Sequence, residues 1–230
     1  MPVKLGSYLL LATIGAQSVP AVAANLADTI AAARAEANAV AQRVQALEDR
    51  HAIENLQRIY GYYVDKARWQ DAADLFSEDA TLEIGGRGVF VGKARVLEYL
   101  TYLSPQGLTE GQLFDHLQLQ PIVDVDSSGT TAKGRWRFLA MVGKYQQDGM
   151  WGTGVYENEY VKQNGVWKIA KLHGYFTMYA PYATGWGKQV KPNTRPEQDL
   201  PPDRPPTVVY DTYPAVFVPP FHYPHPVRGN

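Results

Sequence analysis

The spacing of apolar residues changes period after Leu103, and this change constrains the fold more than any other feature. Upstream, Ile53, Leu56, Ile59, Tyr60 and Tyr63 recur at helical spacing, and residues 69–76 and 93–103 read as two further helices. Residues 80–84 start a strand that Gly85 and Gly86 stop. From His116 onward the period is two, in runs over residues 116–120, 131–145, 152–162 and 166–177. Turn signals separate the runs at 126–129, at 147–149 and at Asn164-Gly165. Helices followed by a meander of long strands predict an α+β domain, its antiparallel sheet curling over the helices. The 230 residues, 45% hydrophobic, supply one core rather than two.

The flanks differ from this domain. Lys4, the apolar run 5–14 and the small residues up to Ala24 form the pattern of a secretory signal over 1–24, which implies export to a periplasm. The run is too short to span a membrane. Over 25–48, Leu26, Ile30, Ala33, Ala37, Val40, Val44 and Leu47 follow heptad spacing. This seam fits either pairing in a homo-oligomer, a dimer or trimer, or packing along its own domain. The compact domain is expected over 49–186. Twelve of the sixteen prolines then fall between Pro181 and Pro226, so residues 187–230 hold no regular helix or central strand. The same stretch carries Val208, Tyr210, Tyr213, Phe217, Phe221 and Tyr223, which predicts an extended arm wrapped on its own domain or on a neighbour.

Composition removes whole classes of chemistry. A net charge of −1 argues against nucleic acid as the partner. The absence of cysteine excludes disulfides, thiolate metal sites and a cysteine nucleophile. The histidines have no metal-ligand spacing of the usual kinds, and no G-x-S-x-G elbow is present. No cofactor motif is found. Aromatic residues, at 12%, can line a pocket for an aromatic ligand or simply fill a core.

The candidate site residues follow from position. Asp65 ends the first helix, where the negative end of the dipole and a desolvating pocket wall suit a general acid or base. His116 opens a strand, and imidazole is the side chain suited to proton transfer near neutrality. Alternation puts Gln118 and Gln120 on its face, which implies a wet, lined cavity. On the last strand Trp167, Ile169, Lys171 and His173 share a face by the same rule, so Lys171 and His173 are expected to line the pocket or to twist into solvent. Arg135 and Arg137 are expected to be exposed or at a subunit interface.

The stretches 53–65 and 74–83, His116, the strand around 132–134 and the run from Tyr160 to Ile169 resemble the SnoaL-like group of the nuclear transport factor 2-like superfamily, over about residues 49–186. The resemblance implies a cone: a curved antiparallel sheet wrapped on three helices and open at one end into a deep pocket. In similar dehydratases a tyrosine of the first helix polarises a substrate oxygen, which points to Tyr60 among Tyr60, Tyr62 and Tyr63. It implies catalytic roles for Asp65 and His116, and substrate contact for Tyr156 and Asn158. The superfamily holds dehydratases, cyclases, isomerases, hydrolases and non-enzymatic binders, so fold alone does not give function.

The signal-like segment, residues 171–186 and the tail closing at Pro226 are similar to the sphingomonad-type diarylpropane and phenylcoumaran formaldehyde lyases. This implies a small aromatic substrate and a cofactor-free dehydration through a quinone methide, with loss of formaldehyde to give a stilbene. Lys171 or Tyr156 would hold the substrate phenolate. The alternatives are a dehydratase or isomerase of another aromatic or polycyclic substrate, or a non-catalytic aromatic-ligand binder.

Overall fold

The computed structural model describes residues 18–229 of the chain. Most of the expected export signal, residues 1–24, therefore lies outside the described residues. The chain divides into two units, Met1–Gln45 and Ala46–Asn230. In the first, the described backbone is helical and Ala-rich, and Leu26, Ile30, Val40 and Val44 of the heptad seam are exposed. The two helices expected at 25–48 and from Ile53 are one continuous element, α1 (Ser18–Asp65). No glycine or proline lies between Leu47 and Ile53 to interrupt it. No described helix is long and apolar enough to cross a membrane.

In the second unit, α1 ends where Ala67 adopts a left-handed conformation, and α2 (Trp69–Asp74) follows. Phe76, expected at the end of α2, instead begins the strand β1 (Phe76–Ile84), where it pairs with Ile169 and is fully buried. A short strand, β2 (Val89–Val91), forms a hairpin with β1. Its three residues are too few to show a period. Helix α3 (Lys93–Leu103) precedes the meander β3 (Gln112–Val125), β4 (Thr131–Lys144), β5 (Asp148–Gln163) and β6 (Val166–Pro181). The six strands form one sheet in the order β2-β1-β6-β5-β4-β3, antiparallel except between β1 and β6. Its inner face packs Trp136, Phe138, Tyr160 and Ile169 with Ile53 and Tyr60 of α1 and Val96 and Leu100 of α3. Each such aromatic or branched side chain contributes about 1.5–3 kcal/mol by leaving water.

Bulges decide which side chains face inward. Between the pairs Ile169–Tyr160 and Lys171–Glu159, β6 advances two residues while β5 advances one, leaving Ala170 as the extra residue. Thr177 is a second extra residue of the same kind. In β3, Gln120 is left-handed (φ 51) and the register against β4 shifts between Leu119 and Ile122.

After β6 the chain crosses the outer face of the sheet without regular structure. Thr207 donates its N–H and hydroxyl to the Glu83 carboxylate of β1, at 2.8 Å each. The Tyr210 hydroxyl accepts from Phe176 N–H at 2.8 Å, and its ring stacks on Phe217. His222 meets Glu157 of β5 at 2.7 Å and Asp124 of β3 at 3.3 Å. Arg135 of β4 pairs with Glu157, donates to Pro220 O and lies 4.2 Å from the Phe221 ring centroid. Arg135 is thus neither free on the surface nor core, but covered by the arm.

Candidate active site

The end of α1 and the middle of β3 meet at Gly61. A Cβ there would stand 2.8 Å from Gln118 Cγ and 3.1 Å from His116 O, so only glycine admits this approach. The approach brings Asp65, the last residue of α1, against β3. Its Oδ1 accepts the His116 backbone N–H at 2.6 Å and lies 3.8 Å from His116 Nδ1. Nδ1 is buried and has no hydrogen-bond partner among the described residues. The imidazole is stacked beside Phe114.

His116 stands between two spaces. One is an interior cavity of about 150 Å³, lined among others by Tyr60, Arg87, Tyr99, Phe138, Tyr156 and Phe176. The other is a surface cleft of about 310 Å³ shared with Arg58, Tyr62, Asp65 and Gln118. A base so placed can exchange protons with solvent on one side and with a ligand on the other. Thr194 of the arm also lines the cavity.

Burial pushes the Tyr60 and Tyr156 phenols above their ordinary range, and the neighbouring phenols add to the effect. Both therefore remain protonated donors at neutral pH. Tyr60, not Tyr62, faces the cavity; Tyr62 is 72% exposed at the outer cleft.

Gln118 and Asn158 line no part of the cavity; they belong to a buried hydrogen-bond chain behind it. Trp136 Nε1 donates to Tyr160 Oη, which donates to Gln57 Oε1; Asn158 Nδ2 donates to the same oxygen, each at 2.9 Å. Gln57 Nε2 donates to Gln118 Oε1 at 2.9 Å, and Gln118 Nε2 to His116 O at 3.1 Å. Asn158 Oδ1 also accepts from His173 N–H. The chain fixes the β3 backbone at His116. Gln120 does not share this face: its left-handed backbone turns it out to Arg137, at 2.7 Å.

Lys171 and His173 do not face the cavity. Ala170 adds one residue to β6, so the alternation counted from Trp167 fails beyond it and Leu172 takes the inward position. Lys171 points outward to Glu159 at 3.5 Å, 40% exposed. His173 lies on the outer face beneath the arm, 3.6 Å from Glu83 and stacked on Tyr175 at 4.0 Å. Burial, and secondarily Lys171, depress His173 to about 4. With His173 held that low the imidazole is neutral at neutral pH, and both oxygens of the neighbouring Glu83 accept from Thr207.

Four polar cavity residues went unnoticed in the sequence: Arg87, Tyr99, Tyr179 and Thr194. Arg87 lies in a glycine-flanked turn and Tyr99 on a helix, with nothing in their spacing to mark them. Among the described residues no group of three or more His, Asp or Glu is placed to hold a metal ion.

A family model for the SnoaL-like domain matches residues 45–173. Among solved structures, a protein of Novosphingobium aromaticivorans DSM 12444 assigned as a scytalone dehydratase matches with a TM-score of 0.55 and 23% identity, over 68% of this chain and 97% of that one. The hexachlorocyclohexane dehydrochlorinase LinA-type3 of Novosphingobium barchaimii LL02 matches with a TM-score of 0.54 and 23% identity, over 61% and 94%. A Novosphingobium aromaticivorans protein assigned as an aromatic ring hydroxylase matches with a TM-score of 0.51 and 25% identity, over 59% and 94%. The shared feature is the fold: an α+β cone of curved sheet and helices.

Proposed function

Because the chain belongs to the SnoaL-like domain family, the chemistry of its cavity has to be argued from the residues, and we propose that it is a cofactor-independent lyase acting on lignin-derived aromatic dimers. The observation that carries this reading is the Asp65–His116 pair, whose histidine lines a largely aromatic and aliphatic cavity together with the protonated phenols of Tyr60 and Tyr156. Such a pair moves protons, and such a wall holds an aromatic ring.

In the reaction we infer, His116 as imidazolium gives a proton to the benzylic hydroxyl, and the C–O bond breaks with loss of water. Electrons from the ionised para-phenol fill the vacated position, giving a quinone methide. Neutral His116, held by Asp65, then takes the proton of the terminal CH2OH. The C–C bond breaks, formaldehyde leaves, and its electron pair restores the phenolate as the stilbene forms. The substrate is its own electron sink. Tyr60 and Tyr156 donate to oxygens that gain charge on the way. Lys171, on the outer face, has no part in this scheme.

A second reading has its own support. A cavity of about 150 Å³ matches one aromatic ring, so a single-ring substrate undergoing simple dehydration suits the same pair. Incubation with phenolic diarylpropanediol and phenylcoumaran dimers, following stilbene absorbance and trapping formaldehyde, separates the cases. Equal stilbene and formaldehyde support the lyase. Water loss without formaldehyde supports dehydration, and saturable binding without product supports a binder. We also infer export through residues 1–24, on the pattern of Lys4, the apolar run and the small residues to Ala24. N-terminal sequencing of protein recovered from the periplasm tests it. The heptad seam supports self-association as a dimer or trimer, which sedimentation would measure.

A further inference from the structure

Arg87 reaches the aromatic cavity from the turn between β1 and β2. Its Nη1 donates to Tyr99 Oη at 2.6 Å, and the guanidinium lies 5.8 Å from the Tyr99 ring centroid. Its Nε is buried and has no hydrogen-bond partner among the described residues. The nearest carboxylate to Nε is Glu197 of the arm, at 3.9 Å, which is beyond hydrogen-bonding range. A guanidinium stays charged at any physiological pH, and a buried N–H without an acceptor is costly. Such a group in a cavity points to an acceptor that the ligand brings.

The form of the acceptor follows from the surroundings. The Tyr99 oxygen already accepts from Nη1, so its own proton is free to be given elsewhere. One O–H and one N–H on neighbouring groups suit a single anionic oxygen. Phe138, Tyr156 and Phe176 make the wall beside them fit for a ring. We propose that Arg87 and Tyr99 form a receiving site for an aryl oxyanion, so that the enzyme binds its phenolic substrate as the phenolate. The inference deepens the lyase reading and rests on it for its catalytic meaning: the phenolate is the electron donor of the first step. Arg87 takes the role that the lyase resemblance had left to Lys171 or Tyr156. Its charge also holds the restored phenolate at the end of the cycle.

The test uses 4-nitrophenol, whose anion absorbs in the visible, titrated into the full-length protein across pH 5–9. In the wild type the bound phenol should ionise about one pH unit or more below the free compound, because the phenolate binds about tenfold tighter than the phenol. Arg87→Met should abolish that shift while holding neutral 4-nitroanisole within about twofold, a sign that the cavity is intact. Arg87→Lys should restore part of it. A bound phenol that ionises like the free one, an unchanged shift in Arg87→Met, absence of saturable binding, or tighter binding of 4-nitrobenzoate than of the nitrophenolate would each overturn the proposal. The wild-type titration does not depend on whether the variant folds. Nor does any arm depend on turnover: dimers converted by an enzyme with no shift would overturn the Arg87 site alone, and a clear shift without formaldehyde release would overturn the lyase reading alone.

Discussion

Asp65 binds the backbone of His116 and faces its imidazole with the same oxygen. Its Oδ1 accepts the backbone N–H of His116 at 2.6 Å and lies 3.8 Å from Nδ1 of the same residue. The carboxylate thus fixes the strand and faces the ring it carries. Asp65→Asn keeps an oxygen acceptor for the backbone but loses the charge. Its kcat should fall about 10²- to 10⁴-fold, as should that of His116→Gln, with thermal midpoints within a few degrees of wild type. Stopped-flow stilbene formation paired with calorimetry makes the comparison. Full turnover in either variant would exclude the pair from the chemistry.

Gly61 makes this contact possible. An added methyl would stand 2.8 Å from Gln118 Cγ and 3.1 Å from His116 O, and the carbonyl cannot move without moving the strand. Gly61→Ala should cost about 1–3 kcal/mol in urea unfolding and lower kcat as well. A variant as stable and active as wild type would mean that α1 and β3 tolerate a wider separation.

Lys171 supplies a contrast. Its partner Glu159 is 51% exposed, and the pair lies on the outer face. Lys171→Met should leave kcat/KM within about twofold and stability within about 1 kcal/mol. Tyr156→Phe, inside the cavity, should lower kcat about tenfold or more while the fold survives. Equal losses in the two variants would contradict the bulge at Ala170 as the divider of the two faces.

The outer face carries its own pH dependence. His173 is depressed to about 4 when folded, against about 6.5 when unfolded. Its contribution to stability is therefore complete above about pH 6.5. It declines as acid protonates the unfolded chain first, and is exhausted near pH 4. The total is about 3 kcal/mol. Urea midpoints measured from pH 7 to pH 4 should show this slope, and His173→Asn should flatten it. Parallel curves for the two proteins would rule out His173 as the source.

Helix α3 was legible in the sequence because Gly92 precedes it and Ser104 follows, so the apolar period has clear ends. The meander was legible because Gly129 and Gly165 mark two of its turns; the turn expected at 147–149 lies instead at 145–147, and Gly149 is inside β5, paired with Gly143. Asp65 could be singled out by residue type and by the end of its helix, whereas His116 stood out by residue type alone, since β3 opens at Gln112 and not at His116 as its spacing had suggested. What alternation could not supply was the pair of extra residues in β6, since Ala170 is an ordinary strand residue with nothing to mark a bulge. That one residue moved Lys171 and His173 to the outer face. Arg87 was hidden for a related reason: glycines on both sides read as punctuation, and the turn they make is what turns the side chain into the cavity. Thr194 belongs to a stretch whose prolines announce irregular backbone but not where it will dock.

The arm is synthesised after every strand it crosses, and this gives the molecule an order of completion. Glu83 lies 124 residues before Thr207, which takes up both of its oxygens. Until that late segment emerges, Glu83, His173 and Glu157 keep their water, and the cavity lacks its Thr194 wall. The cone's strands are therefore complete before the segment that closes its binding chamber, so the wall at Thr194 is the last part of the cavity to be added.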